Sequence, residues 1–196
     1  FRDVHETHLL LSDRRGTKIG YLNFEDCKVK WQQELSQSIN GESIETKDLI
    51  IIPLSERLVA LKSDSGEKLW DIEFPFSHYN YDKTSQKLYG LGGSKFEVID
   101  CATGNREIEK DFNLNANISS HLTYYCEESL YFTTLIDNKT PVFGAVNVQT
   151  GELEFTQEVE IAGDKSFRNN LDKPFVVGNR LYVKDSMNTL HIFEKQ

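Results

Sequence analysis

The chain is short of the residues that build most metal and redox centres. It has three cysteines in 196 residues, Cys27, Cys101 and Cys126, and no two stand close enough to form a CxxC pair. An odd number cannot all pair internally. That argues against a secreted disulfide scaffold and favours a reducing compartment, with the thiols packed as small hydrophobes. No apolar run approaches the ~18 residues of a membrane-spanning helix, and the longest, Leu49 to Leu54, is strand-sized. Basic residues are the minority: 22 Lys and Arg stand against 31 Asp and Glu, a net charge of −9. A nucleic-acid backbone or an anionic membrane surface is thereby excluded as the main partner, because counterion release needs basic side chains.

Catalytic signatures are missing too. There is no Gly-x-Ser-x-Gly elbow, and no serine has a placed base. Gly90-Leu-Gly92-Gly93 is glycine-rich, but a dinucleotide loop must open a helix and here a strand, Lys95 to Ile99, follows. It reads as a hairpin turn. His5-Glu-Thr-His8 offers two ligands on a strand or turn, which do not make a zinc site. Asn117-Ile-Ser119 and Asn138-Lys-Thr140 are glycosylation sequons that matter only in a eukaryotic secretory pathway.

What the chain does have is a core-forming composition, 38% hydrophobic and 27% charged, arranged as a repeat. Leu58–Trp70, Phe96–Ile108 and Phe143–Phe155 share one pattern. Each reads as a strand, then a turn (Asp64-Ser-Gly66, Ala102-Thr-Gly104, Gln149-Thr-Gly151), then a strand ending in a bulky residue. A fourth copy, Ile19–Trp31, reads as one without the glycine, and a truncated fifth is Thr189–Phe193. Small polar residues followed by a glycine at positive φ make a tight hairpin. Another apolar run precedes each copy, and Ser77–Tyr81, Ser120–Tyr125 and Pro174–Val177 are candidates for a fourth strand per unit. Glu25 to Leu35 can be drawn as a helix, but the alignment of Trp31 with Trp70 makes it a strand. Four short strands per ~40 residues, repeated about five times, predict an all-β chain, a β-propeller of about five four-stranded blades. A sandwich or barrel of similar hairpins is the competing reading.

Leu61 to Trp70, with its Ser-Gly turn followed four residues later by Trp, resembles the repeat of pyrroloquinoline-quinone-type (PQQ-like) propellers. Ala60, Thr103-Gly104, Thr150-Gly151, Trp31 and Trp70 match that pattern in different copies, and no copy matches in full. The resemblance implies that Trp31 and Trp70 pack between adjacent blades, with Ile108 and Phe155 as substitutes. A quinone enzyme of that family would also need acidic and amide ligands for calcium and a catalytic Asp. No such constellation is legible, so neither a cofactor nor an enzymatic activity is expected. The chain ends after the third strand of its last copy, and Phe1–His5 is expected to supply the missing strand, or else the first blade's inner strand. Residues 1–196 read as one propeller domain, closed on itself or trimmed from a longer protein. With Phe1 in place of Met, the compartment is not readable from the N-terminus: the thiols favour the cytoplasm, and a periplasmic or secreted location follows if a leader has been removed.

Function then falls to the loops. Those joining second to third strands, and blade to blade, share one end of each blade. Arg14, Arg15, Asn138, Lys139, Arg168, Asp185 and Asn188 are expected to form a partner-binding surface there, and the connector Ser36–Lys47 is expected to reach outward. The expected role is a non-enzymatic, protein-binding propeller: an immunity protein inhibiting a toxin, or an assembly scaffold, whose partner carries a basic surface. The alternative is a small ligand or glycan in a central channel lined by Tyr79, Tyr81 and one of Tyr124 and Tyr125.

Overall fold

The computed structural model describes residues 3–4, 8–161 and 170–194. Apart from a one-turn 3-10 segment at Ser120–Leu122, regular structure there is all strand, built into antiparallel sheets. The first sheet runs β1 (Asp3–Val4), β2 (His8–Ser12), β3 (Lys18–Asn23), β4 (Val29–Glu34). The second is β5 (Ile44–Glu45), β6 (Leu49–Pro53), β7 (Arg57–Lys62), β8 (Lys68–Glu73). The third is β9 (Asn80–Asp82), β10 (Lys87–Gly92), β11 (Lys95–Asp100), β12 (Arg106–Asp111). The fourth is β13 (Thr123–Cys126), β14 (Ser129–Ile136), β15 (Thr140–Asn147), β16 (Leu153–Glu158). The fifth has three strands among the described residues: β17 (Phe175–Val177), β18 (Arg180–Lys184), β19 (Leu190–Glu194). All are simple meanders.

The repeat read in the sequence is a repeat of geometry. In the first four sheets the third strand carries a β-bulge after the third residue of the copy, at Tyr21, Ala60, Val98 and Ala145. That residue faces the bulky one: Trp31, Trp70, Ile108 and Phe155 respectively. Of the two places expected for the N-terminal segment, the structure takes the second: Asp3 and Val4 pair with Leu10 and Leu9 and give the first sheet its inner strand, and the fifth sheet has three strands among the described residues.

Chain contacts divide the molecule into two compact units: Phe1–Ser77 with Tyr81–Lys87 and Asp100–Asn105, and His78–Asn80 with Leu88–Ile99 and Arg106–Gln196. In the first, Leu10, Ile19, Tyr21 and Trp31 of the first sheet pack on Ile50, Ile52, Val59 and Leu61 of the second. Trp31 stacks on Tyr21 with centroids 5.2 Å apart and lies over Gly66, where an added Cβ would stand 2.6 Å from its ring. Its indole N–H donates to the Ser63 carbonyl at 3.1 Å. Trp70 repeats this over Gly104, donating to the Cys101 carbonyl at 3.0 Å.

In the second unit one core joins the third and fourth sheets through Tyr89, Phe96, Val98, Leu130 and Phe132. Another joins the fourth and fifth through Tyr131, Phe143, Ala145, Leu181 and Val183. Ile108 seats on Gly151, 2.7 Å from an added Cβ. Phe155 departs from the expected role: it leans edge-to-face on Phe143 of its own sheet and stays 39% exposed. The fifth sheet has no described turn after β19, so there is no glycine seat for it.

Candidate functional site

Each meander puts its strand-two-to-three loop and its outgoing connector at one end, and its third-to-fourth turn at the other. The turn end is fixed by packing. Gly66, Gly104 and Gly151 have φ of +73°, +74° and +72° and each lies under a bulky residue of the preceding sheet. Each also donates its N–H, at 2.8 Å, to the carbonyl four residues earlier. The loop end differs from sheet to sheet.

In the first unit, Asp13 organises its loop. Its carboxylate accepts from the Thr17 and Lys18 N–H groups at 2.8 and 3.0 Å. These backbone bonds, the one from Lys18 foremost, hold it below the usual carboxylate range. Arg14 and Arg15 are exposed at the tip. The connector that follows the first sheet does not reach outward, contrary to expectation. Leu35 donates to the Thr17 carbonyl at 2.7 Å, Ile39 to Gly16 at 3.1 Å and Asn40 to Pro53 at 2.9 Å. Ile39 is buried and bridges to Leu54, and residues 44–45 are already strand β5. The buried isoleucine holds this polar stretch down.

In the second unit the β14–β15 loop turns through Asp137 and Asn138, both at positive φ (51° and 56°), the signature of a type I′ turn. The Asn115 amide donates to the Asp137 carboxylate, and Asn138 and Lys139 are exposed. In the β18–β19 loop Asn188 is exposed at φ 66°. Asp185 differs from expectation: it is 1% exposed. Its carboxylate accepts from the Met187 and Thr189 N–H groups at 2.9 Å each, and from the His191 ring at 2.9 Å. Burial works against its ionisation, but the bonds from His191, Thr189 and Met187 win and hold the carboxyl below its ordinary value. Asp185 therefore shapes the loop that presents Asn188 and is not itself a contact residue. Arg168 lies outside the described residues.

Of the tyrosines proposed for a channel, Tyr125 lies tilted against Tyr89 with ring centroids 4.8 Å apart in one core, while Tyr124 packs against the core on the opposite face of the same sheet. Tyr79 lies beside the His78 ring. Burial, foremost, pushes the Tyr81 hydroxyl pKa up. Among the described residues no group of three or more His, Cys, Asp and Glu is placed to hold a metal ion, and no helix there is long and apolar enough to cross a membrane. His5 lies outside them. Asp185 and His191 were missed as a pair because five residues of loop and strand separate them. The only signal was an Asp opening a five-residue turn.

Neither a protein-family model nor a curated protein sequence matches the chain. Solved structures do. The chain is similar to BamB from Moraxella catarrhalis (14% identity, TM-score 0.62), covering 98% of itself and 72% of that chain. It is similar to Hsv2 of Kluyveromyces lactis (14%, 0.67), covering 98% and 60%. It is similar to a europium-containing methanol dehydrogenase (12%, 0.65), covering 97% and 50%. The chain thus spans between half and 72% of the length of these structures. At such identities the likeness speaks for fold alone, a β-propeller type built from antiparallel sheets. A dehydrogenase stands among the similar structures, so the fold decides nothing about catalysis.

Proposed function

We propose that the chain is a non-enzymatic, protein-binding β-propeller of five blades that meets its partner with the loop ends of its sheets. One observation carries this. The turn end is uniform and occupied by packing, whereas the loop end varies between sheets and puts exposed Arg14-Arg15, Asn138-Lys139 and Asn188 on loops held by their own hydrogen bonds. Pre-ordered loops lose little freedom on binding, and arginine is enriched at interface hot spots. Arg168 belongs to the same proposal. The net charge of −9 draws in a partner that is basic overall, as a toxin held by its immunity protein or a subunit held by an assembly scaffold would be, and the basic loop tips meet acidic or carbonyl groups on it.

The test is affinity purification from the native host, followed by titration of the purified partner against Arg14→Glu, Arg15→Glu and Lys139→Glu. Charge reversal at a hot spot should weaken binding by about 1–3 kcal/mol. A partner whose affinity is untouched by all three variants, or whose footprint falls on the Gly66, Gly104 and Gly151 turns, overturns the reading.

A further inference from the structure

Beyond the loop ends, the outer edge of the first sheet has the makings of a second site. β4 is a terminal strand, and no described residue pairs with its outer edge. The Leu35 N–H donates inward to the Thr17 carbonyl of the β3 side at 2.7 Å. Antiparallel alternation then turns the backbone groups of Gln33 and Trp31 inward as well, and those of Gln32 and Glu34 outward. Past the bulge opposite Tyr21, the run from Trp31 to Leu35 is a regular edge with two outward-facing residues.

Two grooves flank this edge, one on each face. The first, of about 590 Å³, is lined by Leu11, Gly20 and Val29 with Lys18, Gln32 and Glu34. The second, of about 450 Å³, is lined by Leu35, Val59 and Leu61 with Gln33, Lys68 and Asp71. Successive side chains of a strand point to opposite faces, so a strand added to β4 would send alternate side chains into the two grooves. The walls mix aliphatic side chains with polar ones, Ser12, Asp13 and Gln33 among them, and with paired charges, Lys18 to Glu34 at 2.7 Å and Lys68 to Asp71 at 3.1 Å.

Natural edges are guarded by charges; two of the equivalent strands, β8 and β12, follow that rule, while β16 has Thr156 and Gln157 after its bulky residue. After its bulky residue β8 carries Asp71, tied to Arg57 and Lys68, and β12 carries Glu109 and Lys110, the latter tied to Glu152. In β4 those places hold Gln32 and Gln33, two amides with no side-chain hydrogen bond among the described residues.

We infer that the β4 edge is a β-augmentation site, which takes an extended peptide segment of a partner protein with small or medium aliphatic residues at alternate positions, matched to Leu11 and Val29 in one groove and Leu35, Val59 and Leu61 in the other. Main-chain bonds to Gln32 and Glu34 supply the docking, and the two grooves read the alternate side chains.

The probe is a random peptide library displayed on phage and selected against the whole chain. The best peptide is then synthesised with a fluorophore and titrated by anisotropy. Gln32→Pro removes an outward N–H at a position where an edge strand tolerates proline, and should weaken binding by roughly tenfold or more. Gln32→Ala keeps the backbone donor and should stay within about threefold of the parent. N-methylation along the peptide should abolish binding at every second residue only, a readout that stands even if Gln32→Pro does not fold. Arg14→Glu should leave binding unchanged, which separates this site from the loop ends. Enrichment of no peptide, equal affinity for Gln32→Pro, loss on Arg14→Glu, or an N-methyl profile without a two-residue period each overturns the proposal.

Discussion

Gly66, Gly104, Gly151 and Cys27 hold one position in four turns, each four residues before the bulky residue, and all have positive φ. Only Cys27 carries a side chain. The fourth copy therefore has its turn residue in place, and Cys27 fills the spot that reads from the sequence as a missing glycine. The reason is packing: a Cβ on Gly66 would stand 2.6 Å from Trp31, while Cys27 is exposed. Gly66→Ala should combine left-handed strain of about 1–2 kcal/mol with displacement of the indole. Gly178→Ala, at φ +59° with nothing within 4 Å of the new Cβ, should show the strain alone. Denaturant melts of the two variants measure the difference, and Cys27→Gly should raise stability by up to about 1 kcal/mol. Asp185 gives a second prediction. Its folded pKa lies below the unfolded value near 3.8, so its stabilisation is present above that pH and lost as pH falls through the folded pKa. Asp185→Asn should cost about 1–3 kcal/mol at neutral pH and flatten the acid limb of a melting-temperature profile. A parallel acid limb in wild type and variant would contradict this.

The β18–β19 and β2–β3 loops show how an element can be rigid and still exposed. Arg14→Glu and Arg15→Glu sit on a loop held by Asp13, so they should leave the melting temperature nearly unchanged, within about 0.5 kcal/mol of stability, while reducing partner affinity. Hairpins were the most legible elements. The turns ending at Gly66, Gly104 and Gly151 and the strands leading to Trp70, Ile108 and Phe155 stand where the pattern puts them, because small polar residues and glycine fix a turn locally. Elements defined by distant partners were less legible. Ile44–Glu45 is too short to show a period, and nothing in Asp3-Val4 says whether it pairs with the first sheet or the last. The candidate site divided the same way. Exposed Arg14, Arg15, Asn138 and Lys139 follow from their loops, but Asp185 looks like any loop acid until His191 is folded against it. The edge of β4 is invisible in sequence, since whether a strand has a neighbour is a property of the sheet.

For the whole molecule, the excess of acidic over basic residues should make partner association salt-dependent. Raising ionic strength from about 0.05 to 0.15 M shortens the screening length, and should slow the association rate more than it changes dissociation. Stopped-flow mixing at several salt concentrations checks this; a rate indifferent to salt would remove the argument for a basic partner. The placement of the two tryptophans has an optical consequence. Trp31 and Trp70 both belong to the first compact unit, each lying over a turn of the next sheet with its indole N–H on a backbone carbonyl. The second unit contains none. Selectively excited indole emission is therefore a built-in reporter of the seams in one unit, and its red shift on denaturation records water reaching Gly66 and Gly104. Far-ultraviolet dichroism averages every strand. Overlaying the two transitions resolves, without any label, whether the seams of the first unit open before the rest of the β-structure melts or together with it.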